Sequence, residues 1–296
     1  MALVALTESD SDNGRTAMTD SSQRDALLEA RYGQQAAPAN IIWNEQIEAL
    51  LAHRSVRAFT DEPLPDGALE TVVAAAQSAS TSSNLHQWSL VAVSDPETKA
   101  ELARLTHGAE FTGFDFVAQA PSVLLWIADM SRSHAISVEQ GGKPVVTDYV
   151  DAFLMASVDA ALAAQNGLVA AEAIGLGGVY LGSLRNHAKE LSDLIGLPAY
   201  AYVVFGMAVG TPDPHRPSAV HPRPAQDVVL HRERYRTRPV EEWIEDYETA
   251  FKAFRAEYGL RDKTWSHSVV VSTGLDYMDG RENLRRTLEE RGYLLR

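Results

Sequence analysis

Gly175-Leu-Gly-Gly-Val-Tyr-Leu-Gly-Ser183 is the stretch on which the fold turns. Its glycines superficially match a dinucleotide-binding loop. That fingerprint, however, runs strand, then glycines, then helix. Here the order is reversed: a long Ala-rich segment precedes the glycines, and the β-prone run Val179–Leu181 follows them. Gly175 therefore reads as the left-handed residue that ends a helix. Gly182, at the end of a strand, reads as a site where backbone can approach a flat ligand closely. The preceding run from Val150 is the most apolar in the chain, but Asp151, Asp159, Gln165, Asn166 and Glu172 interrupt it. It reads as a helix buried inside protein and not as a membrane span.

Working outward, Trp88–Val93, Ser122–Ile127 and Ala201–Val209 carry strand patterns, and Pro96–Leu105 a helical one. Pro65–Ala79 places Leu69, Val72, Val73 and Ala76 on one helical face, with Pro65 near the first position. Ile47, Leu50 and Leu51 share a helical spacing that ends at His53, and helices return over Val240–Tyr258 and Arg281–Arg291. Helices and strands interleave without a repeating βα unit, which favours an α+β fold. Residues 1–40 are polar and read as a partly mobile extension with an amphipathic stretch near Asp25–Tyr32; residues 41–296 read as one domain. The start lacks the cationic region of a signal peptide, and the expected location is cytoplasmic.

Composition narrows the function. The 296 residues contain no cysteine, which excludes thiolate catalysis, iron–sulfur clusters and cysteine zinc sites. The net charge of −14 argues against bulk nucleic-acid binding, because displacing counterions from phosphate needs cations. It leaves room for a few local arginines to hold one small anion. No Walker loop, H-E-x-x-H, Ca²⁺ loop or G-x-S-x-G elbow is present, and the nine histidines show no metal-ligand spacing.

Three motifs carry donors. His53-Arg-Ser-Val-Arg57 could converge on an anion, but cations at a helix C-terminus also cap it, and spacing alone favours the cap. Ser80-Thr-Ser-Ser-Asn84 is a donor-rich loop of a kind that also serves helix ends. The Pro/Arg-rich segment Thr211–Arg238 includes His221-Pro-Arg223, a local phosphate clamp or ordinary surface arginine.

Together these motifs resemble one family. His53-Arg-Ser-Val-Arg57 followed by Thr60-Asp-Glu-Pro-Leu64, then Ala164 to Asn186, then Pro222-Arg-Pro224, His231, Tyr235 and Thr264-Trp-Ser266, are similar in order to the FMN-dependent nitroreductases, of the oxygen-insensitive nitroreductase and NADPH-flavin oxidoreductase subgroup. The resemblance runs from about Asn44 to the C-terminus. It implies a central mixed, mainly antiparallel sheet flanked by helices in an intertwined homodimer. It also implies a ping-pong oxidoreductase that takes hydride from NADPH or NADH and passes it to a small aromatic acceptor: a nitroaromatic, a quinone or free flavin. By the same resemblance His53, Arg54, Ser55, Val56 and Arg57 lie along FMN, with Ser55 toward the phosphate and Arg57 near the N1/O2 edge. Thr81 and Ser83 contact the flavin; Tyr180, Leu181, Gly182 and Ser183 pass beside its ring; His221 and Arg223 clamp its phosphate. Arg261 is the candidate for the NADPH phosphate. No amino-acid acid or base, and no metal, is implied.

The chain departs from the family in places. Ser183 stands where glycine is usual, His221 where lysine is common, and His86 where relatives have glutamine; Asp262 replaces a cation beside Arg261. A further flavin-contacting glutamine has no clear counterpart in His107–Phe116, which looks lengthened. An FMN reductase dedicated to one acceptor and a non-enzymatic flavin-binding protein are the alternative readings.

Overall fold

The computed structural model describes residues 20–38, 40–106 and 115–296. The start of the extension and most of the lengthened stretch after Thr106 lie outside the described residues. Four strands form one sheet in the order β1-β2-β4-β3: β1 Trp88–Val93, β2 Ser122–Asp129, β3 Gly177–Leu181 and β4 Ala201–Gly210. Every pairing among them is antiparallel. The α+β class is therefore as read, and among the described residues the strand pairs all have the antiparallel arrangement expected to predominate.

The central strand β2 is buried along its whole length, so it is a continuous apolar run and not an alternating one. Its side chains still alternate between faces. Val123, Leu125 and Ile127 enter a core with Leu102, Leu105, Leu184 and Leu191. Leu124 and Trp126 enter the opposite one with Val72, Ala163, Ala164 and Leu168. Helices therefore cover both faces. Listed along the chain they are α1 Asp20–Ala36, α2 Glu45–Leu51, α3 Ala68–Gln77, α4 Pro96–Thr106, α5 Asp115–Gln119, α6 Ser131–Glu139, α7 Val150–Ala173, α8 Ala188–Leu194, α9 Ile244–Glu257, α10 Trp265–Thr273 and α11 Leu284–Glu290.

Helix α7 sets the geometry of the site. Its alanines and Gly167 let it lie close to the sheet: a Cβ at Gly167 would sit 3.1 Å from the Trp126 ring. Gly175 ends it in the left-handed conformation expected (φ 83°), with Leu176 N–H donating to the Ala171 carbonyl at 2.9 Å. Burial covers only the inner face. Leu154, Val158 and Leu162, four residues apart, are exposed on the outer one in the single chain. By length and composition alone α7 could also cross a membrane, but Ala152, Ala156, Ala160 and Ala163 are fully buried against protein.

Two further differences have physical causes. Pro65 does not open α3; Gly67 in the left-handed region (φ 79°) is its N-cap, and Pro65 only accepts from Ala68 N–H at 3.0 Å. In the extension, α1 covers the amphipathic stretch and buries Leu28 and Arg31 against the domain.

Candidate functional site

Helix α2 begins at Asn44, whose side chain accepts from Ile47 N–H at 2.9 Å, and stops just before His53. The chain that follows docks on the edge of β3. Val56 N–H donates to the Gly178 carbonyl at 3.0 Å, and Val56 itself is buried. That approach requires glycine at 177, where a Cβ would come within 2.5 Å of the Val56 side chain. Farther on, Thr60 N–H donates to the Thr211 carbonyl and Asp213 N–H to the Ala58 carbonyl. The His53–Arg57 segment is thus held between β3 and the Pro/Arg-rich segment.

Each charged group in the segment has a different role. The exposed Arg54 points its guanidinium at the Ala52 carbonyl (3.4 Å), so the capping alternative holds for this residue. His53 Nδ1 lies 2.6 Å from Glu172 Oε1 at the end of α7. The carboxylate holds the proton on Nδ1 and leaves Nε2 for another partner. Arg57 has no hydrogen-bond or ion-pair partner among the described residues. Burial by surrounding protein lowers its pKa even though the residue surface is exposed; the guanidinium stays cationic at neutral pH.

The Pro/Arg-rich segment brings the second half. The His221 ring packs on Phe254 of α9 with centroids 4.3 Å apart. Its pKa is lowered by burial and then by the charges of Arg223, Arg57, Arg31 and Arg255. The charges of four arginines from four separate parts of the chain therefore reach one imidazole. Arg223 N–H donates to the Arg31 carbonyl at 2.7 Å, which fixes the backbone while its guanidinium remains exposed. Arg31 is buried, and its guanidinium reaches the carbonyls of His221 (3.0 Å), Leu51 (2.6 Å) and His53 (2.8 Å).

At the end of β3, Tyr180 meets Phe205 edge-on and donates weakly to Gln165 Oε1 at 3.5 Å. Burial, then the Glu172 charge, pushes its pKa well above the usual phenol range, so it stays neutral. Leu181 is buried, and Gly182 and Ser183 begin a 3₁₀ turn. A Cβ at Gly182 would meet the Arg185 guanidinium at 3.4 Å, so the crowded glycines of this strand are 177 and 178.

The polar loop stands apart. Asp159, fully buried on α7, accepts from Ser82 N–H at 2.8 Å and Gln87 N–H at 3.3 Å. Ser83, Asn84 and His86 all take positive φ, which non-glycine residues adopt only when the surroundings hold them there. Asp159 and Glu172 are thirteen residues apart on α7, about 20 Å along the axis. Thr81 and Ser83 thus sit near the middle of the site helix and the cationic cluster near its C-terminal end. Arg261 is exposed; its carbonyl accepts from Arg255 at 2.6 Å, and its side chain joins no member of the cluster by a hydrogen bond or ion pair among the described residues.

Three residues that organise the site were not singled out from the sequence: Arg31, Asp159 and Glu172. The last two were visible as acids interrupting an apolar helix. A cavity of about 630 Å³ between α3 and β1, lined by Leu69, Val73, His86, Trp88 and Leu90, does not include the cluster. A smaller cleft of about 190 Å³ reaches it through Arg223 and Tyr32. Among the described residues no group of acids and histidines could hold a metal ion.

Residues 50–211 match the nitroreductase family, and residues 221–296 match the nitroreductase family C-terminal domain. The NADPH-flavin oxidoreductase of Vibrio harveyi is 37% identical over 230 residues, covering 77% of this chain and 90% of that protein. An FMN reductase [NAD(P)H] of Bacillus subtilis is 32% identical over 257 residues, covering 84% and 98%. The solved NADPH:FMN oxidoreductase from Vibrio harveyi in complex with NAD⁺ superposes with a TM-score of 0.72 at 34% identity, covering 86% of this chain and all of that one.

Proposed function

Because this chain belongs to the nitroreductase family, we propose that it is an NAD(P)H-dependent FMN oxidoreductase whose cationic cluster holds the FMN phosphate. The observation that carries this reading is the convergence of Arg57, Arg223, Arg31 and Arg255 on His221 in a chain of net charge −14. Cations gathered this closely repel one another, and an anion between them removes that cost. The donor set fits a phosphate: the exposed Arg223 guanidinium, a histidine with a free Nε2 and the Ser55 hydroxyl.

FMN, when bound, supplies the two-electron hydride chemistry between a nicotinamide and a second substrate. The chain's residues bind and tune it. Arg223, Ser55, His53 and His221 hold the phosphate end. Arg57, free of any protein anion, is available to offset the negative charge that two-electron reduction places on the ring. Glu172 orients His53, and the segment Tyr180–Ser183 forms a neutral wall beside the cluster. No side chain is needed as acid or base, since solvent can deliver the product proton. Nitroaromatics, quinones or free flavin are the acceptor classes this reading favours, and Arg261 is the residue offered to a nicotinamide phosphate.

The same reading makes the enzyme a homodimer. Thr81 and Ser83 lie too far along α7 to meet the cluster of their own chain. The apolar stripe Leu154, Val158 and Leu162 lies exposed at the level of that loop on the helix. Two copies of α7 crossed antiparallel about a two-fold axis near Gln165 would bring the loop of each chain to the cluster of the other.

Anaerobic titration of the purified protein with NADPH and with NADH, followed at the flavin absorbance bands, tests the function. Stoichiometric bleaching, and recolouring on adding a quinone or nitroaromatic, is expected. A colourless protein that FMN cannot reconstitute would overturn it.

A further inference from the structure

Arg31 belongs to a part of the chain that precedes the residues matched to the family, which begin at residue 50. Relatives covered over their whole length still leave part of this chain unmatched. A helix added in front of a conserved domain would ordinarily lie on the surface through apolar contacts. Helix α1 does bury Leu28, but among the described residues the other one it buries is a cation, Arg31, at 6% exposure each. Burying an arginine is costly unless its donors are satisfied. Here they are, entirely by backbone carbonyls: Leu51 and His53 from the first half of the cluster and His221 from the second. The Arg31 carbonyl in turn accepts from Arg223 N–H.

We infer that Arg31 is a positioning residue for the FMN phosphate, cross-linking through backbone the two segments that supply its ligands and thereby making α1 part of the cofactor site. The inference rests on the proposed placement of the phosphate at this cluster. Arg31 acts by pre-organisation. Beyond the end of α2 and outside the bonds of Val56, Ala58 and Thr60, the two segments are irregular, so their backbone would otherwise lose entropy on gripping an anion. A single planar guanidinium satisfies carbonyls from both segments in fixed directions, which lysine cannot do. The charge of Arg31 also reaches His221, so the helix adds to the field at the cluster as well as to its shape.

Comparing FMN with riboflavin, which lacks the phosphate, separates positioning from general stability. Apoprotein is titrated with each by flavin fluorescence quenching, for wild type, Arg31→Ala and Arg31→Lys, alongside the thermal midpoint of each apoprotein. Losing one charge-assisted phosphate contact is worth about tenfold, so Arg31→Ala should weaken FMN at least that much and riboflavin hardly at all. Arg31→Lys should fall between, since it keeps the charge without the fork. An equal loss for both flavins, or no loss for either, overturns the inference. Should Arg31→Ala not fold, Arg31→Lys alone decides, by whether the ratio of the two affinities falls. A wild-type protein that does not prefer FMN to riboflavin would instead overturn the placement of the phosphate.

Discussion

Arg57 is the residue at which the proposed chemistry is most exposed to test. It has neither hydrogen-bond acceptor nor acid among the described residues, so replacing it leaves no buried partner unsatisfied. Arg57→Ala should therefore leave the thermal midpoint nearly unchanged. Removing a charged hydrogen bond to the cofactor should cost about 1.5–3 kcal/mol of FMN affinity and make the flavin potential more negative. Unchanged affinity and potential, read by titration and by spectroelectrochemistry, would remove its role. His221 gives a second test with a sign. Burial and the flanking arginines lower its pKa below the ordinary 6.5, so it is neutral in the free protein at pH 7. As pH falls below about 6.5, the unfolded chain takes up the proton more readily than the folded one, and apoprotein stability declines. A bound phosphate supplies the opposite charge and raises that pKa, so binding draws in a proton over the same window. Relative to His221→Gln, whose difference cancels the titration of FMN itself, wild-type affinity should rise on acidification from pH 7 to pH 5.5. Parallel profiles for the two proteins would show that His221 does not meet the anion. At this scale the family resemblance named most of the cluster, because those motifs are contiguous. Arg31, Asp159 and Glu172 escaped because each acts across a long sequence separation, and no local spacing encodes a partner that far away.

Elements were legible in proportion to their length and periodicity. Strand β1 has the bounds read from its pattern, and β2, β4 and α4 differ only at their ends. The short helices α5, α6, α8 and α10 were not read, since five to nine residues span too few turns to show a 3.6-residue period. Helix α10 carries Val269-Val-Val271, a strand-like run. Its helical start is imposed by Thr264, which accepts from His267 N–H, and by Glu248, which accepts from the N–H groups of Trp265 and Ser266. Nor could sequence show that α7 is two-faced, because alanine suits burial and exposure equally. The loop after α3 has the clearest consequence at this scale. Three positive-φ residues among four positions, Ser83, Asn84 and His86, are strained, and Asp159 holds the loop by accepting two backbone hydrogen bonds at its ends. Asp159→Ala would leave those N–H groups buried and unpaired, at about 1–3 kcal/mol each. Lower thermal stability and faster hydrogen exchange at Ser82 and Gln87 are expected. Unaltered exchange at both amides would mean the loop holds its shape without the carboxylate.

For the whole molecule the decisive question is whether one chain contains a complete site. The cationic cluster and the polar loop are both donor-rich, yet α7 separates them by about 20 Å. A single flavin bridging the two within one chain would have to span the outer surface of that helix, where Leu162 at the end of the exposed stripe stands. An apolar stripe so placed offers a ring nothing to hydrogen-bond and costs exposed surface in a monomer. The proposed pairing about an axis near Gln165 would instead set the stripe of each chain against the cluster end of its partner's α7 and make two equivalent sites at once, because the axis exchanges loop and cluster. The arrangement predicts a coupling that a monomer would not show. Val158→Glu puts a charge into the stripe without touching any flavin donor or the inner face of α7, so the fold should survive. The dimer should dissociate in sedimentation velocity, and FMN should be lost with it, by well over tenfold in affinity, since each chain keeps only the phosphate end of the donor set. Adding Arg57→Ala to Val158→Glu should then cost further affinity, because the phosphate cluster stays within the chain, whereas Thr81→Ala and Ser83→Ala should cost none. A Val158→Glu monomer that retains wild-type FMN affinity would show instead that loop and cluster serve different ligands.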